Sequence, residues 1–343
     1  MTEAGLKLVL VTASTLVLGW FLLKLLGLGK RGGSDKSSSA VLLRFVFVGS
    51  FAILPALLAY SLFENLPFAG AHGNGKFLWV WLVNAPLEEL TKFLCFYLLS
   101  RRLNSIREPS DGLLQGAATG LGFALVENFQ YALGGGIGLF WLRSLVSLPG
   151  HVIYGAVWGG YYGFEYYQGR GKIQRPYLVA LALVPAVFAH GVFNTALDAG
   201  WGLGAALLVD VLALVLVLVL YQVLRKASPY RIDWNELGRE QIQDELEHAA
   251  ALNSDSAPLV RKWGAALLAR GKLLQAQEVF RQAAQVRPLD PWNDFWAAAV
   301  AWKSGKPEMW RPLFAAFQRQ ADRRSLLEAR RICRLLPLDF PLL

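Results

Sequence analysis

Seven apolar stretches follow one another through the first two thirds of the chain: residues 6–28, 41–62, 77–99, 112–133, 139–167, 177–199 and 201–224. Each is about the length that crosses the hydrocarbon core of a bilayer as a helix. Lipid leaves such stretches little choice, because backbone N–H and C=O groups must be satisfied within a helix or a closed barrel. The expected fold is therefore all-α, a polytopic membrane helix bundle of about seven transmembrane helices. The first stretch carries Lys24 near its end and has no small-residue cleavage site, so it reads as a retained span. The fifth is over-long, and Pro149 is expected to kink it or to start its helical core late.

Charge is spread unevenly along this pattern. Residues 1–224 hold 15 Lys/Arg and 11 Asp/Glu, against 19 and 14 in residues 225–343. The reading is a membrane domain over residues 1–226 and an ordinary polar domain over 227–343. Basic residues mark alternate loops: Lys30, Arg31 and Lys36, then Arg101, Arg102 and Arg107, then Arg170, Lys172 and Arg175, with Arg225, Lys226 and Arg231 after the last span. The other loops hold only Lys76. Because cytoplasmic loops collect Lys and Arg, the N-terminus is expected outside and the C-terminal domain in the cytoplasm. The same rule accounts for the net charge of +9 without a nucleic-acid partner. The two cysteines, Cys95 and Cys333, permit no disulfide framework and no cysteine-type zinc site.

The polar domain reads as helical. Gly264, Leu267 and Gly271, then Ala276, Phe280, Ala283 and Pro288, have the spacing of a tetratricopeptide-like helix pair. Thirty-four residues on, Ser304-Gly305-Lys306 echoes Arg270-Gly271-Lys272 and Phe314 echoes Phe280, while Trp310 stands at the Ala276 position. Residues 325–336 would cap the array. A cytoplasmic protein partner would bind through residues 235–343.

The spans themselves carry groups that are expensive in lipid. The third holds Glu88-Glu89-Leu90-Thr91-Lys92, in which one lysine can partner only part of two carboxylates. The fourth holds Glu127-Asn128, the fifth His151 and the sixth His190 with Asn194. On helices of alternating direction, Glu88, His151 and His190 fall near mid-depth and Glu127 further outward. The chemistry this permits is hydrolysis. A carboxylate in a low-dielectric pocket can act as general base on water, while imidazoles stabilise the developing oxyanion or protonate a leaving amine. Alternatively Glu127, His151 and His190 would hold a zinc ion whose bound water attacks. Structural readings stand beside these. Glu88 with Lys92 could be a buried ion pair locking helices, and Glu127 with Asn128 an interhelical hydrogen bond. Asp210 reads as a helix-pairing contact, and Asn84, Thr91 and Gln115 as packing groups. Glycines at 112, 116 and 120, and at 155, 159 and 163, are helix-packing stripes.

Glu88-Glu89-x-x-Lys92, Phe123-x-x-x-Glu127-Asn128, His151 before Gly155, and His190-x-x-x-Asn194, in that order on successive spans, resemble the PrsW family of intramembrane proteases. That family is similar to the CAAX-prenyl-protease superfamily, and the likeness covers roughly residues 40–225. It implies that Glu88 is the water-activating base supported by Glu89, that His190 and Asn194 form the oxyanion-side pair, and that His151 is a further motif residue. Glu127 stands where the prenyl-protease pattern has histidine. Lys92 and Asn128 would give electrostatic support. The resemblance implies an intramembrane endopeptidase acting on membrane-anchored proteins such as anti-sigma-factor-like regulators, in the bacterial cytoplasmic membrane. It leaves the metal undecided. The rival readings are a non-catalytic membrane scaffold and a proton or metal-ion transporter; no inverted repeat in the hydropathy favours transport.

Overall fold

A computed structural model of the chain describes residues 6, 9–15, 17, 37–66 and 74–336. Lys24, the basic loop that follows it and much of the first expected span lie outside the described residues. Within them all regular structure is helical. Two compact units are present, one over Asp35–Ala227 and one over Ser228–Leu343.

In the first unit, the second apolar stretch is α1 (Ser37–Phe51) and α2 (Ile53–Phe63). Pro55 explains the break: it has no N–H to give to the Phe51 carbonyl four residues back. The third is α3 (Asn74–Trp79), a π-helical turn (Val80–Asn84) and α4 (Ala85–Leu103). Pro86 has the same effect here, and the widened turn bonds Ala85 N–H to the Val80 carbonyl. Next come α5 (Asp111–Gly135), α6 (Ile137–Gln168), α7 (Pro176–Asp198) and α8 (Leu203–Lys226). Since α6 already runs from Ile137, Pro149 does not start its helical core.

Among the described residues, three segments are long and apolar enough by themselves to cross a membrane: Ser39–Phe63, Pro176–Asp198 and Leu203–Lys226. The α4, α5 and α6 helices are long enough but less apolar, because they carry most of the buried polar groups. Glycine stripes join α5 to α6. A methyl group on Gly116 would strike the Gly155 carbonyl, and one on Gly120 the His151 carbonyl. Close backbone approach therefore seats His151 directly against α5.

The second unit strings α9 (Glu240–Leu252), α10 (Ala257–Ala269), α11 (Leu273–Val286), α12 (Trp292–Lys303), α13 (Pro307–Gln320) and α14 (Arg323–Leu335). From α9 to α13 each helix packs on its successor. Gly264 makes room for the Phe280 ring, which a β-carbon there would approach to 2.6 Å. Gly271 and Gly305 end α10 and α12 with φ of 74° and 67°, values that glycine adopts without strain. Phe280 stacks on Trp296 at 4.8 Å in a continuous apolar core. Burial pushes the Lys262 ammonium down to about 8 against the opposing pull of Asp233 and Glu328.

Candidate active site

Pro86 and the π turn before it set the register of α4. Asn84, at the end of that turn, reaches one helical turn on to Glu88, its Nδ2 donating to Oε1 at 2.8 Å. Tyr60 of α2 donates to the same oxygen at 2.7 Å. Two donors on Oε1 fix the carboxylate and leave Oε2 buried with no hydrogen-bond partner among the described residues, 3.8 Å from His190 Nε2. Asn194, one turn from His190 on α7, donates through Nδ2 to Asn84 Oδ1 at 2.7 Å.

Glu89 lies behind this gap with no exposure at all. It accepts from Lys92 Nζ at 2.6 Å, from His190 Nδ1 at 2.9 Å and from Trp158 Nε1 at 3.2 Å. Lysine 92 therefore pairs with Glu89 and not with Glu88, so the ion-pair reading of Glu88 does not hold. A carboxylate only accepts, so the contact places a proton on His190 Nδ1 and turns Nε2 toward Glu88.

His151 is gripped on both sides. Lys92 Nζ lies 2.9 Å from its Nδ1, and Glu127 Oε2 lies 3.0 Å from its Nε2. Its ring meets that of His190 edge-on, with centroids 5.2 Å apart. Glu127 is held in turn by Arg143 at 2.8 Å, and Arg143 also donates to Asn128 Oδ1 at 3.1 Å. All these groups except Glu89, Lys92, Asn128 and Trp158 line one cavity of about 440 Å³. Its exposed end carries the Lys76–Asp198 ion pair, at 2.7 Å.

The structure thus brings together Glu88, Glu89, Lys92, Glu127, His151, His190 and Asn194. The donor set it gathers differs from the expected one. Ligand atoms of Glu88, His151 and His190 lie within 4.8 Å of one another, while Glu127 stands behind His151 as its hydrogen-bond partner. Asn84, one turn from Glu88 and read most simply as a packing group, is the hub that joins Glu88, Tyr60 and Asn194. Nothing in the spacing signalled Tyr60, which lies on a span with no other site residue. Gln115 bonds Ser105 away from the cluster, and Thr91 bonds the Glu88 carbonyl.

Spans that bury carboxylates and imidazoles around a shared cavity carry the groups that a membrane hydrolase needs. The family model of PrsW family intramembrane metalloproteases matches residues 37–223. The chain belongs to this family and is an intramembrane protease. It is 27% identical to "Protease PrsW" of Shouchella clausii over 199 residues, covering 58% of this chain and 88% of that protein. It is 34% identical to "Protease PrsW" of Geobacillus kaustophilus over 124 residues, 36% of this chain and 54% of that one. Against "Protease PrsW" of Bacillus subtilis it is 27% identical over 165 residues, 48% and 73% of the two chains. No solved structure matches it significantly. The family match ends before Ser228, where the second unit begins.

Proposed function

We propose that the chain cleaves membrane-anchored proteins within the bilayer, with Glu88 as the group that activates water. The observation that carries this reading is the gap of 3.8 Å between Glu88 Oε2 and His190 Nε2, with Oε2 lacking any hydrogen-bond partner among the described residues. With His190 neutral and its proton on Nδ1, water fits there by giving one proton to each atom, and its lone pairs then face the cavity. Glu88 takes a proton as the water oxygen attacks the scissile carbonyl, and returns it to the amide nitrogen as that bond breaks. Asn194 spends one N–H on Asn84, and its second is free to donate to the oxyanion. Glu89 and Lys92 hold His190 and His151 in place from behind.

The residues also fit a zinc ion. Glu88 Oε2 is an orphaned buried acceptor, and His190 Nε2 is the lone-pair nitrogen of an imidazole whose other side is held by a carboxylate. His151 would be the third ligand, releasing one of its two present partners. A zinc ion bound there would supply a water more acidic than bulk water. Metal content tests this fit: about one zinc per purified chain, lost in His190→Ala, supports it, and a metal-free wild type that cleaves in chelator excludes it.

The seven-span topology, with residues 1–226 in the bacterial cytoplasmic membrane, the N-terminus outside and residues 227–343 in the cytoplasm, belongs to the same proposal. It rests on the alternation of basic loops. A reporter active only in the cytoplasm is expected to give signal when fused after Arg231 and none when fused near Gly135; the reverse would overturn the orientation. The helix pairs of the second unit would act as a tetratricopeptide-like module that recruits substrate or a cytoplasmic partner. Single-span regulators such as anti-sigma factors are the substrates that the family resemblance suggests.

A further inference from the structure

Asp210 is a buried carboxyl that the reaction above does not use. It sits on α8, whose other faces are Leu and Val exposed as lipid-facing side chains are, yet Asp210 is only 5% exposed. A carboxyl in an apolar span costs several kcal/mol unless something offsets it. Its Oδ1 accepts from the Tyr154 hydroxyl of α6 at 2.7 Å, and its Oδ2 is buried without a hydrogen-bond partner among the described residues. The Tyr154 ring in turn lies nearly parallel to that of His190, with centroids 5.6 Å apart and planes at 26°. Tyr154 lines the cavity, whereas Asp210 does not reach it. Gly150, next to His151, leaves space for the pair: a β-carbon there would stand 2.9 Å from Asp210 Oδ1 and 3.0 Å from the Tyr154 hydroxyl.

We propose that Tyr154 and Asp210 are a positioning pair that fixes the plane of the His190 imidazole and so extends the catalytic site to α8. Glu89 holds His190 at one edge through Nδ1, a contact that tilting of the ring would strain but not prevent. The tyrosine on its face restricts that tilt, and Asp210 pins the tyrosine by its hydroxyl. Neither residue touches the reacting atoms; both act through His190. The inference rests on the role given to His190 above.

The test uses the full chain in detergent, labelled with ¹⁵N-histidine. Four histidines give few signals, and His190→Ala assigns the one in question. Wild type and Asp210→Asn, which keeps an acceptor for the tyrosine, should show a single Nδ1–H form of His190. Tyr154→Phe and Asp210→Leu should show a broadened or mixed signal. Against a quenched single-span peptide with a Leu-rich segment broken by Gly-Ala, the latter two should lose about tenfold in kcat at unchanged KM. Their combination should be no worse than either alone. An unchanged His190 signal in both variants, with only a lowered melting temperature, would reduce the pair to a helix contact and overturn the proposal. If His190→Ala cleaves like wild type, the catalytic reading fails instead, and the histidine signals still decide whether the pair positions the ring.

Discussion

Glu88→Gln is expected to leave a folded, normally expressed protein whose cleavage rate falls by about two to four orders of magnitude, the usual loss for a positioned general base. The substitution is nearly isosteric, and the glutamine oxygen can still accept from Tyr60 and Asn84 as Glu88 Oε1 does at 2.7 and 2.8 Å. What changes is the other arm. An amide NH₂ replaces the bare Oε2 that faces His190 Nε2 at 3.8 Å, so a donor now fills a gap that held two acceptors. Water loses its proton acceptor and its orientation together. Single-turnover rates on purified protein, with a melting curve to show the fold intact, check both halves. His190→Ala should be nearly as severe, because it empties the opposite side of the same gap.

The second large effect is on stability. Lys92 and Glu89 have no exposed side-chain surface and pair at 2.6 Å. Lys92→Met removes one partner and leaves a carboxylate buried among α4, α6 and α7, which usually costs about 3–5 kcal/mol. His151 also loses the donor on Nδ1, at 2.9 Å. Lys92→Met should therefore melt well below wild type and lose activity. Adding Glu89→Gln removes the stranded charge and should recover much of the stability, a non-additivity that a double-mutant cycle measures directly. Glutamine at 89 can still accept from His190, so the double variant separates charge from geometry. Equal melting of Lys92→Met and wild type would show that the pair does not hold these helices.

How far the site could be read in the sequence follows from what lipid punishes. Glu88, Glu89, Lys92, Glu127, His151 and His190 stood out because ionisable groups in apolar spans are rarely without purpose. Family membership was legible for the same reason, in the order of those motifs along successive spans. Pairings across helices were not legible. Spacing along α4 allows Lys92 to meet either glutamate, and only the placement of His151 and Trp158 on α6 selects Glu89. Tyr60 and Tyr154 look like ordinary aromatic residues of an apolar span until their hydroxyls are seen on Glu88 and Asp210. The π turn that aims Asn84 at Glu88 needed coordinates. The count of spans is blurred by the site itself, since the polar groups that make α4, α5 and α6 interesting also lower their hydropathy.

The central claim is that the cluster around Glu88 hydrolyses a peptide bond inside the bilayer. Purified wild-type chain and Glu88→Gln, each reconstituted in liposomes with a single-span substrate protein, would be compared by mass spectrometry of the products. The account predicts two fragments from the wild type, their masses summing to substrate plus one water and their new termini inside the apolar segment, and intact substrate with the folded variant. Equal cleavage by the variant, or new termini only in the water-exposed parts of the substrate, would contradict it.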